Sequence, residues 1–190
     1  YDQVGCIRSW DFNQENWQCP VIIDNMMNLE LLFWASLQTG DPIYRDIAFS
    51  HAQKTMENHV RQDGSTYHVV DYSPETGEVI SRGTHAGYSV ESTWTRGQAW
   101  GIYGFTMCYR ETGDLKYLDQ AEKIAGFIID HPRLPEDKIP YWDFDDPDIP
   151  DSYRDASAAA IICSALIELS QLTENDQGDK YLRFAETIIH

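Results

Sequence analysis

The feature that most constrains this fold is a short punctuation that recurs three times between apolar stretches. Gln38-Thr39-Gly40-Asp41 precedes Tyr44, Glu111-Thr112-Gly113-Asp114 precedes Tyr117, and Gln177-Gly178-Asp179 precedes Tyr181. Glycine suits the left-handed position that closes a helix, and aspartate suits the N-cap that opens the next. Each Gly-Asp lies between two runs of helical length, so each predicts the turn of a helical hairpin. The first helices of the three hairpins are expected over 24–39, 96–112 and 155–172, and their partners over 42–59, 115–131 and 179–190.

The two members of each pair differ in pattern. Ala156-Ser157-Ala158-Ala159-Ala160-Ile161-Ile162-Cys163 has no polar face, which predicts a helix buried on all sides. In a partner helix, Ile124, Phe127 and Ile128 share one face while Asp119, Glu122 and Lys123 fall elsewhere. Inner apolar helices, each backed by an outer amphipathic one, describe an all-α, two-layer toroid; an open solenoid of stacked hairpins is the alternative. Three pairs are half of a closed six-pair barrel. Residues 1–190 therefore read as a single domain and as a fragment of that barrel, and the start at Tyr1-Asp2-Gln3-Val4 suits a processed protein or a fragment.

Turns within a pair are short, whereas the connections between pairs, about 60–95 and 132–154, are long. Both must lie at the end where the inner helices begin, and long loops on a rigid scaffold are where binding residues gather. The first is expected to hold a β-hairpin, Thr66 to Tyr72 and Glu78 to Ser81 around a turn at Ser73-Pro74-Glu75-Thr76-Gly77. The second, Ile139-Pro140-Tyr141-Trp142-Asp143-Phe144-Asp145-Asp146-Pro147, reads as an extended rim, with Asp143, Asp145 and Asp146 solvated.

The densest chemistry lies in the run from His85 to Trp100, which loads three aromatics, an arginine, a histidine and an amide around glycines just before an inner helix. Indole faces suit sugar rings, and a guanidinium fork suits a carboxylate. A net charge of −17 excludes nucleic acid as a partner, because phosphate binding needs a basic footprint. It also requires any anion site to be locally basic, since distant charge is screened within about 8–10 Å. No run approaches the roughly 20 apolar residues of a membrane span. Cys6, Cys19, Cys108 and Cys163 lack zinc spacing and read as reduced thiols, which fits a cytoplasmic setting, with a periplasmic one as the alternative.

Six residues stand out. Asp24 opens the first inner helix; it is either an N-cap or a carboxyl whose pKa burial among Ile22, Ile23, Met26 and Met27 raises toward general-acid use. Arg96 opens the second inner helix against the helix dipole, so a carboxylate partner or a substrate anion should hold it. Trp94 and Trp100 flank it, with core packing the stronger expectation for Trp100. His68 lies in the predicted hairpin, as a surface residue or a site residue. Asp155 reads as an N-cap paired with Arg154.

Ile23-Asp24-Asn25-Met26-Met27-Asn28, the His85 to Trp100 stretch and Pro140-Tyr141-Trp142-Asp143 resemble the unsaturated glucuronyl hydrolases of glycoside hydrolase family 88. The most specific part is Ser92-Thr93-Trp94-Thr95-Arg96-Gly97-Gln98-Ala99-Trp100, and the likeness runs over essentially the whole chain. The related unsaturated rhamnogalacturonyl hydrolases rank second. The resemblance implies an (α/α)6 barrel of which this chain supplies the middle three hairpins. It implies a substrate left by polysaccharide lyases, an oligosaccharide ending in a C4=C5 unsaturated uronic acid, with no metal or organic cofactor. It also implies that Asp24 protonates C4 and helps deliver water to C5, and that His68, Trp94, Arg96 and Trp100 line the pocket. Family members often carry Gln where this chain has Ala86. A second essential Asp and further pocket residues of the family fall outside the sequence, so a non-catalytic carbohydrate-binding fragment is the remaining alternative. The parent polysaccharide and the oligomeric state are not legible.

Overall fold

The computed structural model describes residues 3–174 and 176–190. Six α-helices form three antiparallel hairpins: α1 (Leu29–Thr39) with α2 (Pro42–Asn58), α3 (Thr95–Thr112) with α4 (Leu115–Ile129), and α5 (Ala156–Leu172) with α6 (Asp176–Ile189). α3 is central, packed against the α1 hairpin on one side and α5 on the other.

The first two turns use the predicted chemistry. Gly40 and Gly113 are left-handed at φ 72° and 68°, and the carboxylates of Asp41 and Asp114 accept the N–H groups of Ile43 and Lys116. The third turn differs. α5 ends at Thr173 in extended backbone, and Gly178 lies inside the first turns of α6 rather than at a cap. Its glycine serves close approach: a Cβ there would stand 2.7 Å from the carbonyl oxygen of Ser170 and 2.8 Å from that of Thr173.

The expected burial of the inner helices is most nearly met by α3, where Arg96, Trp100, Tyr103 and Tyr109 are still only partly buried, and it fails at the edges. α3 buries Ala99, Ile102, Phe105, Met107 and Cys108. α1 leaves Leu31, Trp34 and Leu37 exposed, and α5 exposes Ala156 and Ala160, because each has an inner-helix neighbour on one side only. α4 is amphipathic as read, burying Tyr117, Ala121, Ile124 and Ile128.

The sequence reading as all-α is incomplete. A three-stranded antiparallel sheet, β1 (Pro20–Ile22), β2 (Val69–Tyr72) and β3 (Val79–Gly83), caps the loop-bearing end. β2 and β3 are the expected hairpin. β1 joins it from 47 residues upstream, with Ile22 opposite Val69. Its small second core comprises Val4, Cys6, Cys19, Val21, Val70 and Tyr72. The four cysteines are buried thiols. Among the described residues no helix is long and apolar enough to cross a membrane.

Candidate functional site

The strand β1 decides where Asp24 goes. Its pairing with β2 continues one step past Ile22, as the Ile23 N–H donates to the His68 carbonyl at 3.1 Å. The chain then turns into a 3-10 helix, Ile23–Asn28, that leads into α1. Asp24 therefore sits in the first turn of that helix; Ile22 occupies the cap position, and no side chain caps the helix. This removes the N-cap reading of Asp24.

The glycines of α3 let the 3-10 helix lie directly on it. A Cβ at Gly97 would meet Ile23 Cγ2 at 2.9 Å, and one at Gly104 would meet Met26 Cβ at 2.3 Å. Close approach brings the start of α3, with Trp94 and Arg96, beside Asp24. The His68 ring lies 4.5 Å from the Trp94 ring, and the Arg96 guanidinium stands 4.9 Å from the same indole.

Asp24 Oδ2 is buried, has no hydrogen-bond partner, and lies 3.9 Å from His68 Nε2. That distance is too long for a hydrogen bond. The two groups are also not an ion pair. Burial raises the Asp24 carboxyl to about 6, against smaller opposing effects from its own backbone and from Arg96. Burial likewise pushes His68 down to about 3, with nearby His85, His59 and Arg96 acting in the same direction. Each is drawn toward its neutral form.

Arg96 has a protein partner. Its Nη1 lies 3.5 Å from Asp155 and donates to Ser157 Oγ at 2.9 Å, yet the side chain keeps 41% of its exposure. Asp155 caps α5 by accepting the Ala158 N–H, as read, but its ion partner is Arg96; Arg154 instead pairs with Asp137. The two tryptophans reverse their expected burial. Trp94 is 7% exposed, whereas Trp100 is half-buried and packs edge-on against Tyr103 at 5.6 Å. The structure thus brings Asp24, His68, Trp94 and Arg96 together and places Trp100 one turn further along α3.

No family model matches the chain. It is 53% identical over 189 residues to the unsaturated glucuronyl hydrolase of Formosa agariphila, which covers 100% of this chain and 46% of that protein. It matches the crystal structure of an unsaturated glucuronyl hydrolase specific for heparin with a TM-score of 0.95 at 53% identity, over 98% of this chain and 49% of the other. Over essentially its whole length the chain is similar to unsaturated glucuronyl hydrolases. The unsaturated chondroitin disaccharide hydrolase of Streptococcus agalactiae is 38% identical over 185 residues, 97% of this chain and 46% of that protein. The chain spans about half the length of the relatives it matches.

Several neighbours of the site escaped the sequence reading. Asp143 and Asp146 are not a solvated rim. Asp143 is fully buried and accepts from the Tyr88 N–H at 2.9 Å, Ser92 Oγ at 2.7 Å and the Asp145 N–H at 2.9 Å. Asp146 accepts from Trp142 Nε1 and Ser152 Oγ. Asp143 ties the two long loops together, whereas Asp146 braces the second loop internally; only Asp145 is exposed as expected, and its carboxylate takes the Thr93 N–H of the first loop. Trp10 and Phe12 stack at 5.4 Å and both pack on His85, forming an aromatic wall beside the turn around His68. The β-branched run after Pro20 was a usable signal for β1. Nothing periodic marked Trp10 or Asp143. Among the described residues no group of three or more His, Cys, Asp or Glu side chains is arranged to hold a metal ion.

Proposed function

We propose that this chain carries the proton-donating part of a hydrolase for unsaturated uronyl oligosaccharides, the products of polysaccharide lyases. The observation that supports it most directly is the Asp24 carboxyl: buried, with Oδ2 unpartnered, raised to about 6, and set between a neutral histidine and an arginine–indole pair. A carboxyl held near 6 is still protonated in part at neutral pH and serves as a general acid.

In this reading Asp24 gives its proton to C4 of the C4=C5 double bond. Positive charge develops at C5 and the ring oxygen. The Asp24 carboxylate then takes a proton from the water that adds to C5, which regenerates the acid. The resulting hemiketal opens, and the glycosidic bond breaks without displacement at the anomeric carbon. Spacing rules for paired carboxylates in ordinary glycosidases therefore do not apply. Arg96, anchored by Asp155 and Ser157 but still partly exposed, is oriented to hold the sugar carboxylate. Trp94 and Trp100 offer faces to the ring, and His68 offers an N–H. Ala86 brings no polar side chain, and its backbone N–H is taken by His68.

We read the three hairpins as part of an (α/α)6 barrel, forming one domain. The uncovered apolar edges of α1 and α5 support that reading. The test follows the ultraviolet absorbance of the conjugated double bond of an unsaturated chondroitin disaccharide. Asp24→Asn is expected to lower kcat/KM by about 10²–10⁴-fold, and parent activity should fall as pH rises through about 6. Turnover retained by Asp24→Asn overturns the assignment. Substrate binding with no turnover by the parent chain would favour a binding fragment.

A further inference from the structure

We propose that Thr84 is a positioning residue of the Asp24 site: with the turn that follows it, Thr84 locks His68 as the imidazole tautomer whose only proton is on Nε2, facing Asp24. The consequence for turnover rests on the reading of Asp24 as the proton donor; the tautomer itself does not.

Three donors surround His68 Nδ1. The backbone N–H of His85 lies at 3.1 Å, that of Ala86 at 3.3 Å, and Thr84 Oγ1 at 3.2 Å. A backbone N–H can only donate, so Nδ1 must present its lone pair and cannot carry a proton. Thr84 Oγ1 itself accepts the Gly87 N–H at 2.7 Å, which leaves its own hydrogen for Nδ1. The turn from 84 to 87 is therefore wound around one ring nitrogen. It closes tightly enough that a Cβ at Gly87 would stand 2.7 Å from Thr84 Oγ1. Of the three donors, Thr84 supplies the single side chain, and substituting it removes both its own bond to Nδ1 and the Gly87 anchor that winds the His85 and Ala86 N–H groups onto that nitrogen.

With Nδ1 occupied, the neutral ring must carry its proton at Nε2, 3.9 Å from the unpartnered Oδ2 of Asp24. The surroundings of the ring favour neutrality: burial comes first, Arg96 from α3, His85 from the turn and His59 act in the same direction, and Asp24 is itself drawn toward its neutral form. His68 is then a fixed donor and not a proton shuttle. Its Nε2–H faces the carboxylate left when Asp24 gives up its proton. The other tautomer would aim a lone pair at the Asp24 carboxyl and hold the proton back.

The experiment is a long-range nitrogen–proton correlation spectrum of the full chain labelled at histidine nitrogens, with His68→Asn used to assign the His68 signals. The parent is expected to show the Nε2–H tautomer at neutral pH, Thr84→Val a shift toward the Nδ1–H form, and Thr84→Ser the parent pattern. In turnover, Thr84→Val should lower kcat about tenfold, the scale of one lost hydrogen bond, with little change in KM. An imidazolium or Nδ1–H signal in the parent overturns the proposal. So does a Thr84→Val spectrum identical to the parent's. Because the spectrum needs no substrate, a chain that shows the expected tautomers but no turnover upholds the role of Thr84 and counts against the reaction.

Discussion

In the hairpin of α3 and α4, the bonds that shape the turn span a few residues. Gly113 closes α3 with a hydrogen bond to Tyr109, and Asp114 caps α4 through Lys116. At the opposite, loop-bearing end the bonds span half a hundred. Asp143 takes the Tyr88 N–H across 55 positions and the Ser92 hydroxyl across 51, and Asp71 takes the Gln18 and Cys19 N–H groups across 53 and 52. Both ends use aspartate as an acceptor of N–H groups. Asp114 is only half-buried and has water as a substitute; Asp71 and Asp143 are buried and have none. The same residue type is therefore a modest local signal in one region and a long-range clasp in the other.

The largest effect is expected where that clasp is cut. Asp143→Ala strands the Tyr88 and Asp145 N–H groups and the Ser92 hydroxyl in a buried place, which should cost about 3–5 kcal/mol in urea unfolding. A loss under about 1 kcal/mol would show that the two ends are not held differently.

A smaller and opposite effect is expected at Asp24. Its folded-state pKa lies above the ordinary carboxyl value, so the folded protein binds that proton more tightly than the unfolded chain does. Ionising it is a cost that is absent below about pH 4 and complete above about pH 6. Asp24→Asn removes the cost and should stabilise the fold at pH 7–8 by up to about 3 kcal/mol, with the gain fading as pH falls from about 6 and gone below about 4. Denaturation midpoints at the two pH values check it; a gain independent of pH would mean that burial is not what perturbs Asp24.

The smallest effect belongs to the helical end. Asp41→Ala removes one exposed cap on the Ile43 N–H and should cost about 1 kcal/mol. Thermal unfolding of that variant beside Asp143→Ala measures the contrast directly.

Periodicity and turn residues were enough to place four of the six α-helices to within two residues at each end, because capping and amphipathic patterning act over a single turn of chain. They failed at Gly178, where a close approach and not a left-handed turn selects glycine, and at the edges of α1 and α5, where exposure depends on which neighbours are present. Asp24, His68, Trp94 and Arg96 could be singled out from residue type and position. Their convergence could not, because it depends on β1 pairing with a strand far along the chain and on Gly97 and Gly104 yielding space to the 3-10 helix. Asp143 looked like a solvent-facing acid among others, since a carboxylate's burial is set by the N–H groups it meets and those lie about fifty residues away. Sequence alone determined the hairpins and the kinds of side chain gathered at one end. Tertiary structure decided which carboxyl is buried without a partner, which tryptophan is covered and which nitrogen of His68 holds the proton, because burial and long-range hydrogen bonding exist only once the loops have met.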